Sequence, residues 1–351
     1  MATRRTRYLT PAVLTTSGAL LTAALASSAL RKPKPSWSAS GKVVVITGSS
    51  RGLGLNLGEE FALAGARLVL SARSADELER AKNLLLSRRA SIHSDRILTV
   101  VCDLKRPEDC RRLIDEATNH WGRVDVLINN AGVIHVGPIE QLPIEAYREA
   151  MEIDYFAMVQ TTQAVLPQML ARGEGRIVNV TSIGGKIPVP HLAAYVGSKF
   201  AAVGFSETLH AEMRSKGVQV TTVCPGLMRT GSYPNAIVVG NREREYRWFS
   251  LSASIPGIAH SAEGAARKIF EATSEGRTEI TIGIDASLAA RLHGLSPDFT
   301  QYAGSLANEF ILPEAGGSKT LTSAQKVRSP RSKLWRTFSE KLTRSHNQPS
   351  A

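Results

Sequence analysis

The feature that most constrains the fold is a regular alternation of short apolar runs with helix-length amphipathic segments. The first run, Val43–Ile46, is fully apolar and mostly β-branched, which is typical of a strand buried on both faces of a parallel sheet. Further strand-like runs, each separated from the next by a segment of helical length, are Arg67–Ser71, Ile97–Val101, Val124–Ile128, Arg176–Val180 and Val218–Val223.

This alternation predicts the α/β class, with a single Rossmann-type, doubly wound parallel sheet in a three-layer αβα arrangement. We expect six or seven strands between Gly41 and about Gly283. Residues 39–285 are assigned to this domain, and 351 residues suffice for one large core. Residues 1–38 form an N-terminal hydrophobic anchor or signal segment. Residues 286–351 form a C-terminal extension of one or two amphipathic helices, with a polar, basic tail from near Ser318.

The net charge of +12 is confined to the two ends of the chain. Residues 1–38 carry +6 and residues 319–351 carry +7, so the 280 residues between them sum to −1. An electrically neutral body argues against nucleic acid as a partner, whereas basic tails favour an anionic membrane surface. The three cysteines have neither paired nor ligand-like spacing, so we expect no disulfide framework and no metal site.

The N-terminal apolar stretch from about Leu9 to Leu30 is long enough for one bilayer crossing, although Thr, Ser and Ala dilute it. Basic residues flank it on both sides. We interpret it as a single membrane anchor. Two alternatives stay open: a cleaved secretory or twin-arginine export signal, and a disordered leader. Without an anchor, the chain is expected to be cytoplasmic.

A glycine-rich turn, Thr47–Gly54, directly follows the first strand and opens the first helix. Glycines at such a turn let the backbone approach a pyrophosphate, which then binds the unpaired N–H groups of the helix N-terminus. The position between a strand and a helix favours dinucleotide binding over a structural turn.

A second motif, Tyr195-Val-Gly-Ser-Lys199, lies thirteen residues after Ser182. Residues four apart on a helix share a face, so Tyr195 and Lys199 are expected to line one cleft. A phenol exchanges protons near neutral pH when an ammonium stabilises its anion. By itself the motif is also compatible with a solvated helix face.

Together these motifs resemble the short-chain dehydrogenase/reductase family, from about Ser40 to Gly283. The other ordered matches are Asp103 after the third strand, Asn129-Asn-Ala-Gly132 after the fourth, and Pro225-Gly226 with Thr230 after the sixth. The resemblance implies hydride transfer between a nicotinamide cofactor and a carbonyl or alcohol. The implied catalytic residues are Ser182, Tyr195, Lys199 and Asp154. The implied cofactor residues are Gly48, Ser50, Arg51, Gly52, Leu53, Gly54, Arg73, Asp103, Leu104, Asn130, Ala131, Gly132, Tyr195, Lys199, Pro225, Gly226 and Thr230.

In this resemblance, Tyr195 exchanges a proton with the substrate oxygen, Lys199 lowers the tyrosine pKa and holds the nicotinamide ribose, and Ser182 hydrogen-bonds the substrate oxygen. Asp103 meets the adenine. The family usually has an asparagine where this chain has Asp154, and there it holds a water in the proton relay to the lysine. A carboxylate accepts the same hydrogen bonds but adds a charge near Lys199, so the rate and pH dependence are expected to differ.

The cofactor is expected to be NADP(H). Members of the family that prefer NAD usually end the second strand with an acidic residue, where this chain has Ala72 followed by Arg73. A guanidinium binds a 2′-phosphate through paired charge-assisted hydrogen bonds, and Arg51 approaches the same phosphate from the glycine turn. Solvent-facing arginines are the alternative.

Other side chains receive no catalytic role. His191 is expected either to line the pocket or to be structural, and His135 is expected near the rim. Residues 242–245 have the pattern of a solvated charged run. Cys102, Cys110 and Cys224 are expected to pack as small apolar residues.

The predicted protein is a membrane-associated, homo-oligomeric oxidoreductase of a lipophilic carbonyl or alcohol of steroid, retinoid or fatty-chain type. One alternative is a soluble or exported reductase of small aldehydes and ketones. Another is a nucleotide-binding module with low turnover.

Overall fold

The computed structural model describes residues 37–229, 235–252 and 259–327. The hydrophobic stretch from Leu9 to Leu30, the cofactor residue Thr230 and the basic tail after Val327 lie outside these residues. Within the described ranges, no helix combines the length and hydropathy needed to cross a bilayer.

The described residues form twelve strands. In chain order these are β1 (Val43–Thr47), β2 (Arg67–Ala72), β3 (Ile97–Val101), β4 (Val126–Asn129), β5 (His135–Val136), β6 (Gly175–Val180), β7 (Val218–Pro225), β8 (Met228–Arg229), β9 (Ile237–Gly240), β10 (His260–Ser261), β11 (Glu279–Ile282) and β12 (Ser318–Ser323).

Ten α-helices alternate with them in the same ranges. They are α1 (Gly52–Leu63), α2 (Ala75–Arg88), α3 (Pro107–Trp121), α4 (Ile144–Met151), α5 (Ala157–Arg172), α6 (Ala193–Met213), α7 (Arg242–Ser252), α8 (Ala262–Glu275), α9 (Ile284–Leu295) and α10 (Pro297–Phe310). A π-helical turn, Glu152–Phe156, joins α4 to α5.

Seven of the strands form one parallel sheet in the order β11-β7-β6-β4-β1-β2-β3, which confirms the predicted fold class. The chain runs outward from β1 through β2 to β3, and in the opposite direction from β4 to β11. The order therefore reverses between β1 and β4. In open α/β sheets, ligands bind outside the carboxyl ends of the strands at this reversal, which places the site next to Thr47 and Asn129.

Both faces of the sheet are covered because successive side chains of a strand point to opposite faces. Val69 belongs to the core cluster under α3, α5 and α6. Its neighbours Leu68 and Leu70 face the other side, where both lie close to Gly58 of α1. Because both faces of the sheet are buried, its strands are continuous apolar runs in the sequence.

A three-stranded sheet, β12-β9-β5, lies outside the main one. Its strand β12 pairs antiparallel with β9. The sequence predicts a polar tail from near Ser318, and this is wrong for Ser318–Val327, which form a strand and a short helical turn. Strand β12 contains one apolar residue, Leu321, and therefore gives no strand signal in the sequence.

The two C-terminal helices α9 and α10, which the sequence predicts after Gly283, present apolar side chains to solvent. Ile284 and Leu295 are 89% and 84% exposed. Other large exposed apolar residues of this pair are Leu288, Phe299, Tyr302 and Phe310.

Candidate active site

The glycine-rich turn brings β1 against the loop after β4. Gly48 has φ +63°, and a Cβ there would lie 2.9 Å from Cα of Ala131. The side chain of Asn130 donates hydrogen bonds to the carbonyls of Thr47 (2.9 Å) and Gly48 (3.1 Å). These contacts hold the glycine-rich turn against the loop after β4, and only a glycine fits at position 48.

The N-terminus of α1 suits a pyrophosphate. No side chain caps this end, and its first turn contains no acidic residue. The free N–H groups and the positive end of the helix dipole thus point out of the glycine turn. These features fit a bound dinucleotide, with Gly48, Ser50, Gly52, Leu53 and Gly54 around it.

The expected phosphate-binding arginines differ in their surroundings. Arg51 donates to both carboxylate oxygens of Glu77, at 2.8 and 2.9 Å, and Ser50 donates to the same carboxylate at 2.9 Å. Arg73 is exposed just after β2. Sequence reasoning missed Glu77, which lies in the first turn of α2 and competes with any phosphate for Arg51.

Four further implied cofactor residues also lie at carboxyl ends of strands. Asp103 and Leu104 follow β3, and Leu104 lines a small pocket with Thr47, Ala131 and Asp154. Gly226 follows β7 and donates its N–H to the carbonyl of Ile282 on β11 at 2.8 Å. Pro225 is the last residue of β7.

Beside the carboxyl ends of these strands lie the three implied catalytic residues Ser182, Tyr195 and Lys199. Tyr195 and Lys199 lie one turn apart on α6, with Nζ of Lys199 5.6 Å from the centre of the Tyr195 ring. Ser182 follows β6, and its Oγ accepts the N–H of Gly184 at 3.0 Å. Desolvation raises the pKa of Tyr195, and the Lys199 ammonium opposes this shift. The arrangement suits proton exchange with a substrate oxygen.

Asp154 lies in the π-helical turn and faces Lys199. Its carboxylate is buried, with Oδ1 3.6 Å from Nζ of Lys199. Oδ1 accepts the N–H of Val133 at 2.9 Å, and Oδ2 accepts the hydroxyl of Ser198 at 2.7 Å. Burial raises the pKa of Asp154, and the Lys199 ammonium lowers it. The carboxylate also contributes to raising the pKa of Tyr195.

A buried polar network, which sequence reasoning missed, holds the strand ends in place. Asn129 donates to Oδ1 of Asn179 at 2.9 Å and accepts the hydroxyl of Thr161 at 2.7 Å. Asn179 donates to Ser206 at 3.0 Å, and Ser206 binds Thr222 at 2.7 Å. The chain of bonds connects β4, β6 and β7 to α5 and α6. It fixes α6, and hence Tyr195, relative to the sheet.

The expectation of a solvated charged run at 242–245 is wrong for Glu245, whose side chain is fully buried. Both oxygens of Glu245 lie 2.9 Å from Nδ1 of His191, and one accepts the indole N–H of Trp248 at 2.6 Å. His191 has a φ of +62°, which is uncommon for a residue other than glycine. It is a buried structural residue that connects α7 to the segment before Tyr195.

The expectation that His135 lies near the rim is also wrong. This histidine is fully buried, and its Nε2 lies 3.0 Å from Oε2 of Glu149. The hydrogen bond with His135, and the nearby Lys105, lower the pKa of Glu149 to about 2. The three cysteines are buried free thiols, and the described residues contain no cluster of potential metal ligands.

Comparisons with known proteins find similar sequences. A family model described as short chain dehydrogenase matches residues 42–236. The Mus musculus protein named dehydrogenase/reductase SDR family member 7B is 34% identical over 257 residues, which are 73% of this chain and 77% of the mouse protein. The 11-beta-hydroxysteroid dehydrogenase A of Sesamum indicum is 35% identical over 246 residues, 69% of this chain and 68% of that protein.

A solved structure gives the same fold. The crystal structure of L-sorbose reductase from Gluconobacter frateurii, complexed with NADPH and L-sorbose, superposes with a TM-score of 0.62 at 27% identity. The match covers 71% of this chain and 97% of the reductase.

Proposed function

Because the chain belongs to the short-chain dehydrogenase/reductase family, and hence is an oxidoreductase that binds a nicotinamide cofactor, we propose that it uses NADP(H) to interconvert a lipophilic carbonyl and its alcohol. The observation that carries this proposal is the meeting of Ser182, Tyr195 and Lys199 beside a glycine turn with an uncapped helix N-terminus.

The chemistry divides between the cofactor and the side chains. The bound nicotinamide supplies or accepts the hydride. Tyr195 donates a proton to the carbonyl oxygen during reduction and accepts it during oxidation. Ser182 hydrogen-bonds the same oxygen and stabilises its developing charge. Lys199 lowers the pKa of Tyr195 and holds the nicotinamide ribose.

The preference for NADP(H) is supported by Ala72 in place of an acid at the end of β2 and by the exposed Arg73. Arg51 contributes when a 2′-phosphate displaces the Glu77 carboxylate from its guanidinium. A phosphate group carries more charge than a carboxylate and takes the same paired hydrogen bonds. The NADPH complex of the L-sorbose reductase is consistent with this choice.

A lipophilic substrate is supported by the side chains around Tyr195. The core cluster that contains Tyr195 also includes Val189, Leu192, Trp248 and Phe249. Helix α10 approaches the same region, since Gly304 lies next to Pro190. Helices α9 and α10 also carry exposed apolar side chains. The name of the sesame relative points to a steroid.

A second candidate is a reductase of small polar carbonyls, as the likeness to L-sorbose reductase suggests. The two candidates differ in the hydrophobicity of the preferred substrate. A third candidate, a nucleotide-binding module with low turnover, differs from both in having no acid–base function at Tyr195.

We also propose that the protein is a homo-oligomer and that it is attached to a membrane through the apolar stretch from Leu9 to Leu30. The oligomer is proposed by analogy with the family. The anchor rests on the length of the stretch and its basic flanks.

A substrate panel tests the function. The full-length protein is mixed with NADPH and with cortisone, all-trans-retinal, hexadecanal or L-sorbose, and the loss of NADPH absorbance is measured. We expect turnover of at least one lipophilic carbonyl and none in Tyr195→Phe, which keeps the ring but loses the transferable proton. NADPH binding to Tyr195→Phe, followed by fluorescence, should remain within about twofold of the unmutated protein. Turnover of L-sorbose alone would favour the second candidate, and substantial activity in Tyr195→Phe would refute the catalytic assignment.

A further inference from the structure

His135 is a buried imidazole attached to a carboxylate that reaches the surface. Its side chain has no exposed surface, whereas the Glu149 side chain is 22% exposed. Nε2 of His135 and Oε2 of Glu149 are 3.0 Å apart. The other Glu149 oxygen forms an ion pair with Lys105, whose side chain is 38% exposed. A continuous polar path therefore connects His135 to solvent.

The second ring nitrogen of His135 is buried and, among the described residues, has no hydrogen-bond partner. Buried polar atoms in native proteins nearly always have one, from protein or from water. A neutral imidazole donates through one nitrogen and accepts through the other. The Glu149 carboxylate only accepts, so Nε2 carries the proton of the neutral ring and Nδ1 is the nitrogen that can accept another one.

The backbone from Gly132 to His135 begins next to the Asp154 carboxylate. A Cβ on Gly132 would lie 2.9 Å from Oδ1 of Asp154 and 3.3 Å from Nζ of Lys199. The next residue, Val133, donates its N–H to the same Oδ1. Two residues later the chain reaches His135, which is close enough that its charge lowers the pKa of Asp154 against the raising effect of burial.

The π-helical turn contributes to this placement. Glu149 and Asp154 are five residues apart on one continuous helical segment. In the π turn the hydrogen bond runs from the N–H of Ala157 to the carbonyl of Glu152, the i to i+5 pattern of a π turn. Glu149 binds the imidazole directly, and Asp154 binds the backbone that leads to it.

On the basis of the oxidoreductase function proposed above, we propose that His135 passes protons between the buried Asp154–Lys199 pair and the surface carboxylate of Glu149. His135 does not touch the substrate. It acts through Asp154 and Lys199, as a residue that positions and conducts the proton.

The proton balance is written for the oxidation of an alcohol. Tyr195 takes the hydroxyl proton of the substrate, Lys199 takes the proton from Tyr195, and Asp154 takes it from Lys199. His135 accepts that proton at Nδ1, directly or through one water, and releases its Nε2 proton to Glu149, which gives it to solvent. Tautomer exchange then returns the imidazole to its starting state. One proton leaves for each hydride transferred to the cofactor, and reduction of a carbonyl reverses every step.

The decisive variant is His135→Gln, whose amide can still donate to Glu149 but cannot relay a proton. With the best carbonyl of the panel, we expect kcat to fall by at least about tenfold while KM stays within about twofold. The solvent isotope effect on kcat, measured in D2O, should increase because proton supply becomes rate-limiting. In His135→Ala, added imidazole should restore part of kcat.

His210→Gln is the matched control, because His210 binds only a backbone carbonyl at the far end of α6. Should His135→Gln fail to fold, Glu149→Gln probes the same path from the surface and should show the same two effects. Unchanged kcat in the folded variant overturns the relay, and so does a lower kcat with an unchanged solvent isotope effect. An unmutated protein that turns over no carbonyl overturns the proposed function as well, whereas normal turnover in His135→Gln overturns the relay alone.

Discussion

At the scale of single residues, Asp154 and Tyr195 depend on the same ammonium. The Lys199 Nζ lies 3.6 Å from the Asp154 carboxylate and also opposes the raising of the Tyr195 pKa by desolvation. Every increment of negative charge on Asp154 makes the tyrosinate less favourable. The carboxylate in place of the family's usual asparagine therefore adjusts the proton affinity of the acid–base residue.

Replacing this charge should shift the pH profile. In Asp154→Asn the carboxylate no longer contributes to raising the Tyr195 pKa, so that pKa falls. Alcohol oxidation, which needs the tyrosinate, should then reach its plateau at a lower pH, with kcat within about tenfold. The profile of kcat/KM against pH measures the shift. An unchanged profile would mean that Asp154 is protonated across the whole range, as its burial favours.

The proposed preference for NADP(H) depends on three side chains between the glycine turn and the first turn of α2. We expect NADPH to bind more tightly than NADH, and Arg51→Ala combined with Arg73→Ala to remove most of the preference. Each charged contact is worth about 1.5–3 kcal/mol, or tenfold or more in affinity. Glu77→Gln should increase NADPH affinity, because Arg51 is then free to bind the phosphate.

Dissociation constants from fluorescence titration provide the measurement. The affinity of the same variants for NADH is the internal control, since NADH lacks the 2′-phosphate and should respond little. Equal constants for NADPH and NADH in the unmutated protein would contradict the assignment.

The sequence predicts some of these residues and cannot predict others. Tyr195 and Lys199 are separated by one helical turn, so their shared face follows from spacing alone, whereas the position of Asp154 follows from the family resemblance. His135, Glu149 and Glu77 interact across elements. Their roles depend on tertiary partners that no local pattern encodes.

At the scale of elements, helix α7 has a buried glutamate, Glu245, within a highly charged sequence. Glu243 and Arg244 are exposed, as a solvated run predicts, but Glu245 points inward and accepts hydrogen bonds from His191 and Trp248. The Arg-Glu-Arg-Glu pattern gives no sign of this difference. The partner, His191, lies 54 residues away along the chain.

Removing the Glu245 charge should loosen α7. Glu245→Gln replaces two charge-assisted contacts with His191 by at most one neutral hydrogen bond, which should lower the free energy of unfolding by about 2–4 kcal/mol. Urea denaturation measures this loss. Glu243→Gln is the matched control, because Glu243 is 58% exposed and pairs only with the exposed Arg247, so its removal should have little effect. Equal stability of the two variants would show that the contact between Glu245 and His191 does not stabilise the fold.

At the scale of the whole molecule, the sheet was the most predictable feature. Strands buried on both faces give long apolar runs, and the alternation with helices leaves few alternative topologies. The small sheet β12-β9-β5 was not predictable, because β5 has only two residues, β12 is mostly polar and the three strands lie far apart in sequence. Strand β4 begins at Val126 rather than at Val124, and the carboxylate of Asp125 just before it accepts the N–H of Val43 at 2.9 Å.

The last prediction concerns the attachment of the whole protein to a membrane. Full-length protein, with the apolar stretch from Leu9 to Leu30, should sediment with membranes and resist extraction by 1 M salt, because salt screens charges but does not weaken apolar burial. A shortened chain that starts at Ser38 should sediment less. What remains bound should be released by salt, since only the basic C-terminal residues would then hold it electrostatically, at about 1 kcal/mol for each Lys or Arg. Immunoblots of pellet and supernatant measure both fractions. Full-length protein that stays in the supernatant without detergent would eliminate the anchor, and a shortened chain that resists salt would move the attachment to the exposed apolar helices α9 and α10.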